Sequence, residues 1–220
     1  MVDYNLITLP NGIRIIHKEV PSTKIVHCGF ILDIGSRDER EEQLGIAHFW
    51  EHMAFKGTKK RKAFHILNKL DAVGGELNAY TTKEKICFYA SALDKHMESA
   101  FELLQDITFD SIFPEKQIEN ERGVILEEMS LYRDAPEDAI QDEFDRVVFK
   151  EHPLGQNILG TPNSGIKRFQ KIKTPGSQEK YLYQNGNFSC YTLKYPVKDF
   201  DSRYPIQINI NYYYLTSINN

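Results

Sequence analysis

The stretch Gly45 to Lys56, GIAHFWEHMAFK, constrains this chain more than any other, because its only polar residues between Ile46 and Phe55 are His48, Glu51 and His52. A run that is apolar on all sides and too short for a membrane span reads as a helix buried in a protein core. At 3.6 residues per turn, positions 48, 51 and 52 fall on one ridge, so two imidazoles and a carboxylate point the same way. A core helix does not retain such groups unless they are paired or hold a metal. Neutral imidazoles at i and i+4 can both donate to one zinc, with Glu51 beside them as a base. The competing reading is a histidine pair hydrogen-bonded to a buried glutamate in an ordinary core, and a third ligand decides between the two.

A second helix, expected from about Pro114 to Arg133, offers one. Its inward stripe runs Ile118, Glu121, Ile125, Glu128 and Tyr132, while Glu119 and Glu127 fall on the opposite face. Two glutamates thus share a face with core residues. An acidic stripe along the core edge, with long side chains reaching water, gives the same pattern. Beside His48 and His52, however, Glu128 becomes the natural third ligand.

Around these helices the chain reads as alternating strands and helices. Leu6 to Leu9 and Ile13 to Ile16 flank Pro10-Asn11-Gly12, a hairpin signal. Val26, Cys28, Phe30, Leu32 and Ile34 make one face of a long strand, and the acidic loop after it suits the start of the His48 helix. Phe64, Leu67, Leu70 and Val73 at helical spacing predict a helix ending at Gly74-Gly75. An extended segment over Glu76 to Thr82 and a strand with Ile86, Phe88, Ala90 and Ala92 follow, and Asp94 is expected to cap the helix carrying Met97 to Ile107. Asp134 to Asp145, around Ala139, Ile140, Phe144 and Val148, predicts an amphipathic helix with a strongly acidic outer face. Glu151 to Pro162 reads as loop, with short helical patterns at Ile166 to Lys171 and Pro175 to Leu182.

With 220 residues, 41% of them hydrophobic, the chain can bury a sizeable core. A net charge of −4 argues against a nucleic-acid binder, and the basic run Lys59-Lys60-Arg61-Lys62 reads as a solvated loop. No stretch has the apolar length of a membrane span, and the N-terminus lacks the pattern of a secretion signal. Three widely spaced cysteines, Cys28, Cys87 and Cys190, fit free thiols, so a cytoplasmic location is expected. From Asn185 the composition changes: six of the twelve tyrosines and only five charged residues fall in this tail, where Ile206, Ile208, Ile210, Tyr212 and Tyr214 suggest a strand.

Together, GIAHFWEHMAFKGT, ENERGVILEEM, GGELNAYTTKEKICFYA and HPLGQNILGT resemble the pitrilysin, insulinase and mitochondrial processing peptidase family, from about Asn5 to Leu182. The resemblance implies an α+β catalytic domain over residues 1–184, a mixed, mostly antiparallel sheet with helices packed on one face. Residues 185–220 do not fit it and are expected to be an atypical tail, as in a truncated or frame-shifted product. It also implies one zinc held by His48, His52 and Glu128, with Glu51 as catalytic base, Glu121 as supporting carboxylate, and peptide substrates added as a strand beside Asn78, Ala79 and Tyr80. Such peptidases pair this domain with a second homologous domain, so a partner domain or subunit is expected for full activity. Two alternatives stand beside the peptidase: a non-catalytic partner subunit, and an enzyme resembling S-ribosylhomocysteine lyase, whose third ligand is a cysteine.

Overall fold

The computed structural model describes residues 4–8, 14–168, 180–183, 186–191 and 210–215. The alternation in the sequence forms strands β1 (Asn5–Thr8), β2 (Arg14–His17), β3 (Ile25–Leu32), β4 (Glu76–Thr81), β5 (Ile86–Leu93), β6 (Lys180–Tyr183), β7 (Gly186–Tyr191) and β8 (Ile210–Leu215). The 3.6-residue periodicities form helices α1 (Ile46–Ala54), α2 (Ala63–Asp71), α3 (Met97–Phe109), α4 (Glu115–Asp134), α5 (Pro136–Phe149) and α6 (Gly165–Arg168). One sheet has the order β1-β2-β8-β3-β5-β4, and β6 pairs with β7 in another. The β2 and β8 strands run parallel and the other pairs are antiparallel, as expected of a mixed, mostly antiparallel sheet.

The expected parity holds through the centre of this sheet. Cys28 pairs with Ala90, Phe30 with Phe88 and Leu32 with Ile86, all buried on one face. Against that face pack Ala47 and Ala54 of α1, Ile66 and Leu70 of α2, and Leu103, Leu104 and Ile107 of α3. The α1 helix then turns its other side to α4: Phe49 and Met53 cluster with Ile118, Ile125 and Met129. Being sandwiched between sheet and α4 is why α1 is apolar on all sides. Trp50 packs against both clusters. Among the described residues no helix is long and apolar enough to cross a membrane.

Five expectations need correction. In α2 the buried positions are Ile66 and Leu70, whereas Phe64 and Leu67 are exposed at 70% and 56%, because two adjacent ridges are apolar and only one faces α3. Asp94 opens a 3-10 turn ahead of α3 instead of capping it, its Oδ1 accepting from the Lys95 amide. The basic run is not simply solvated: Arg61 pairs with both oxygens of Glu102 and with buried Asp106, which also accepts from Thr58 Oγ1. Residues 180–182, read as helical, lie in β6, and 175–179 lie outside the described residues. The α5 helix forms where expected yet buries none of its residues. The N-terminal strands pair as expected, while their turn, and positions 206 and 208 of the tail strand, lie outside the described residues.

Candidate metal centre

The α1 helix is seated from its N-terminus. Glu39, buried in the loop after β3, accepts from the amides of Gly45 and Ala47 at 2.7 and 2.6 Å, giving the helix start a carboxylate cap. Burial raises the Glu39 pKa while the amides oppose it. Gly45 has φ +88° and Gly160 φ +74°, and a Cβ on either would lie 2.3 or 2.2 Å from the backbone carbonyl of Leu159 or Leu44. Only glycines permit this crossing, which presses the Leu159 segment against the helix start.

Downstream on the same helix, the rings of His48 and His52 lie with centroids 4.4 Å apart, tilted by 59°. Glu128 reaches across from α4, its Oε1 lying 3.7 Å from His48 Nε2 and its Oε2 3.7 Å from His52 Nε2. These ligand atoms all fall within 4.8 Å of one another. Two atoms each ~2.1 Å from a shared tetrahedral centre lie ~3.4 Å apart, so the separations suit a zinc-sized cation. They are too long for hydrogen bonds. His48 is 9% exposed, and its buried Nδ1 has no hydrogen-bond partner among the described residues. Burial, reinforced by the neighbouring His52, lowers the His48 pKa to about 3, which keeps the ring a neutral donor. Two imidazoles and a carboxylate with an open side are the donor set of a catalytic zinc site.

Glu121, one helical turn before Ile125, lies beneath these groups. Its Oε1 is 2.9 Å from His52 Nδ1 and its Oε2 2.6 Å from Lys56 Nζ. Burial alone would raise its pKa, but the His52 and Lys56 interactions outweigh burial and lower it. Accepting at Nδ1 leaves the His52 Nε2 lone pair directed at Glu128. The Glu128 pKa is raised, chiefly by burial.

Glu51 faces β4, where Thr81 Oγ1 donates to its Oε2 at 2.5 Å. Burial raises the Glu51 pKa. His48, Glu51 and Glu128 open onto a cavity of about 240 Å³ walled by Ala79, Tyr80 and Thr81 on one side and by Tyr132, Asp142, Asn157 and Leu159 on the other. Of the three expected substrate-strand positions, Ala79 and Tyr80 line the cavity and Asn78 does not. Instead, Asn78 Oδ1 accepts from the Ala79 amide at 2.8 Å. Lys83, in the turn after β4, binds Asp145 and the Leu154 carbonyl, tying α5 and its following loop to the sheet.

Sequence reading brought His48, Glu51, His52, Glu121 and Glu128 into one region and missed Thr81, Lys56 and Asp142. The first two carry a signal. Strand alternation sets Thr81 on the same face as Ala79, and Lys56 lies four residues past His52, one helical turn on, just beyond the end of α1. Asp142 is one of many carboxylates in α5 and nothing local distinguishes it.

The chain matches the family described as Insulinase (Peptidase family M16) over residues 14–162. It is 42% identical over 157 residues to an uncharacterised zinc protease of Mycobacterium leprae, a match covering 71% of this chain and 35% of that relative. It is 42% identical over 154 residues to the uncharacterised zinc protease YmxG of Bacillus subtilis, covering 70% of this chain and 38% of that relative. Among solved structures, a protease of Helicobacter pylori is similar with a TM-score of 0.71 at 24% identity, covering 76% of this chain and 41% of that one. At that identity the likeness shows a shared fold. The chain therefore spans well under half the length of these relatives.

Proposed function

This chain belongs to the insulinase family, peptidase family M16, and from that premise we propose that it is the metal-binding catalytic domain of a zinc endopeptidase that cleaves extended peptides. The observation that carries the reading is the convergence of His48, His52 and Glu128 from two helices beside a carboxylate outside that group, Glu51. One zinc per domain would be held by His48 Nε2, His52 Nε2 and Glu128. When bound, it supplies Lewis-acid polarisation and lowers the pKa of a water to about 7. Glu51, its Oε2 held by Thr81, takes the water proton at Oε1 and returns it to the leaving amine. The raised Glu51 pKa brings it nearer the range a general base needs. Glu121 keeps the proton of His52 on Nδ1.

The β4 strand is an edge of the sheet, open to one more strand. A substrate peptide would pair beside Asn78, Ala79 and Tyr80, its carbonyl replacing Asn78 Oδ1 at the Ala79 amide. Asp142, in the opposite wall, would favour basic side chains near the scissile bond. Residues 1–184 would form the catalytic domain and 185–220 an atypical tail that contributes β8. Free, buried Cys28 and Cys87 support a cytoplasmic location.

A second homologous domain is part of this proposal. The chain is short beside its relatives, and α5 leaves Ile140, Phe144, Val147 and Val148 between 52% and 66% exposed. Without a second domain closing over the cavity the site stays wet and lacks donors for the developing oxyanion, which usually supply several kcal/mol. The chain alone should therefore bind zinc and hydrolyse peptides poorly. Adding a homologous partner domain should restore turnover, and Glu51→Gln should abolish it with zinc retained. Cleavage of an unstructured peptide by the isolated chain at about 1 s⁻¹ or more would remove the partner requirement. A non-catalytic partner subunit has no need of an intact Glu51 beside three donors. A lyase-like site has no support either, since no cysteine joins the donor group among the described residues.

A further inference from the structure

Lys56 stands outside the group of candidate donors and the base. It lies just past the end of α1, with its amide donating to the Met53 carbonyl at 3.1 Å, one turn beyond His52. Its ammonium is 2.6 Å from Glu121 Oε2, while the other oxygen of that carboxylate is 2.9 Å from His52 Nδ1. The Glu121 side chain is 5% exposed and that of Lys56 28%, so this is not a solvated surface pair. One buried carboxylate is therefore shared between a candidate ligand and a cation just past the end of that ligand's helix.

We propose that Lys56 is a positioning residue for the metal centre, locking the Glu121 carboxylate so that His52 presents Nε2 toward Glu128. The inference rests on the reading of His48, His52 and Glu128 as metal donors. A glutamate held at one oxygen can still turn about its last side-chain bond. A charge-assisted bond to the second oxygen, anchored on the other donor helix, removes that freedom. It also offsets the cost of burying Glu121 beside Glu128, which otherwise places two carboxylates under one pair of imidazoles. Because Lys56 directly follows the end of α1, which carries His52, while Glu121 and Glu128 share α4, the link sets the distance between the two helices at the level of the donors. A clamp that merely joined the helices would stabilise the fold without tuning the metal.

The test compares zinc affinity, by competition with a chromogenic chelator, and thermal unfolding of the metal-free protein for wild type, Lys56→Met, Lys56→Arg, Glu121→Gln and the Lys56→Met/Glu121→Gln double variant. Lys56→Met should weaken zinc binding by roughly 10-fold or more at unchanged stoichiometry. Lys56→Arg should recover most of that loss, and Lys56→Met should add little in the Glu121→Gln background. If the Met variant does not fold, Lys56→Gln is read the same way. Wild-type affinity in a folded Lys56→Met or Lys56→Gln protein, with only the melting temperature lowered, would overturn the positioning role and leave the metal site standing. Absence of zinc binding by the wild type would overturn both.

Discussion

Helices α1 and α5 each carry an apolar face in sequence, yet they end in opposite circumstances. Six of the nine residues of α1 are buried, between the sheet on one side and α4 on the other. None of the fourteen residues of α5 is buried. The difference separates what this chain completes by itself from what it leaves open. It closes the half of the site that brings His48, Glu51, His52 and Glu128 together, and it presents the opposite wall on a helix whose apolar residues have no cover among those described.

Truncation should expose that contrast most strongly. Phe49 is fully buried against α4, so Phe49→Ala should cost about 3–5 kcal/mol in denaturant unfolding. Phe144, 60% exposed on α5, should tolerate the same change within about 0.5 kcal/mol. Equal losses would mean that α5 is packed as tightly as α1.

A second contrast appears in acid. His48 is neutral in the fold with a pKa of about 3, while in the unfolded chain it titrates near the ordinary histidine value of 6.5. Below about pH 6.5 the unfolded chain takes up a proton that the folded chain refuses, so this contribution to stability is full above 6.5 and is lost as pH falls toward 3. The loss is on the order of a few kcal/mol, at about 1.4 kcal/mol per pKa unit. Unfolding midpoints of metal-free protein from pH 7 to 4 should fall more steeply for wild type than for His48→Gln. Parallel curves would place the acid sensitivity elsewhere.

The smallest effect belongs to the α5 wall. Asp142→Asn, in an assembly that turns over, should slow cleavage of lysine- and arginine-rich peptides severalfold, with the difference shrinking as salt rises. Unchanged, salt-insensitive rates would leave the acidic face of α5 as solvation only.

What the sequence made legible follows the same division. Strand parity in β3 and β5, and the ridge of α1, are local periodicities imposed by a core the chain itself provides, and they could be read directly. Glu128 could be read because a carboxylate on an inward stripe has few explanations once two histidines need a partner. Phe64 and Leu67 were assigned to the wrong side of α2 because adjacent apolar ridges differ by one 100° step, and only the position of α3 chooses between them. Periodicity likewise predicts an apolar face on α5 but carries no information on what covers it. Lys56 and Thr81 meet Glu121 and Glu51 across elements distant in sequence, so their residue types were visible while their partners were not.

The most direct test of the account is the zinc content of purified, dialysed protein for wild type, Glu51→Gln, His52→Ala and Glu128→Gln, each checked for folding by circular dichroism. Wild type and Glu51→Gln should each hold close to one zinc per chain, His52→Ala should hold none, and Glu128→Gln should lose most of it. Full occupancy in folded His52→Ala, or loss of zinc in folded Glu51→Gln, would contradict the assignment of donors and base.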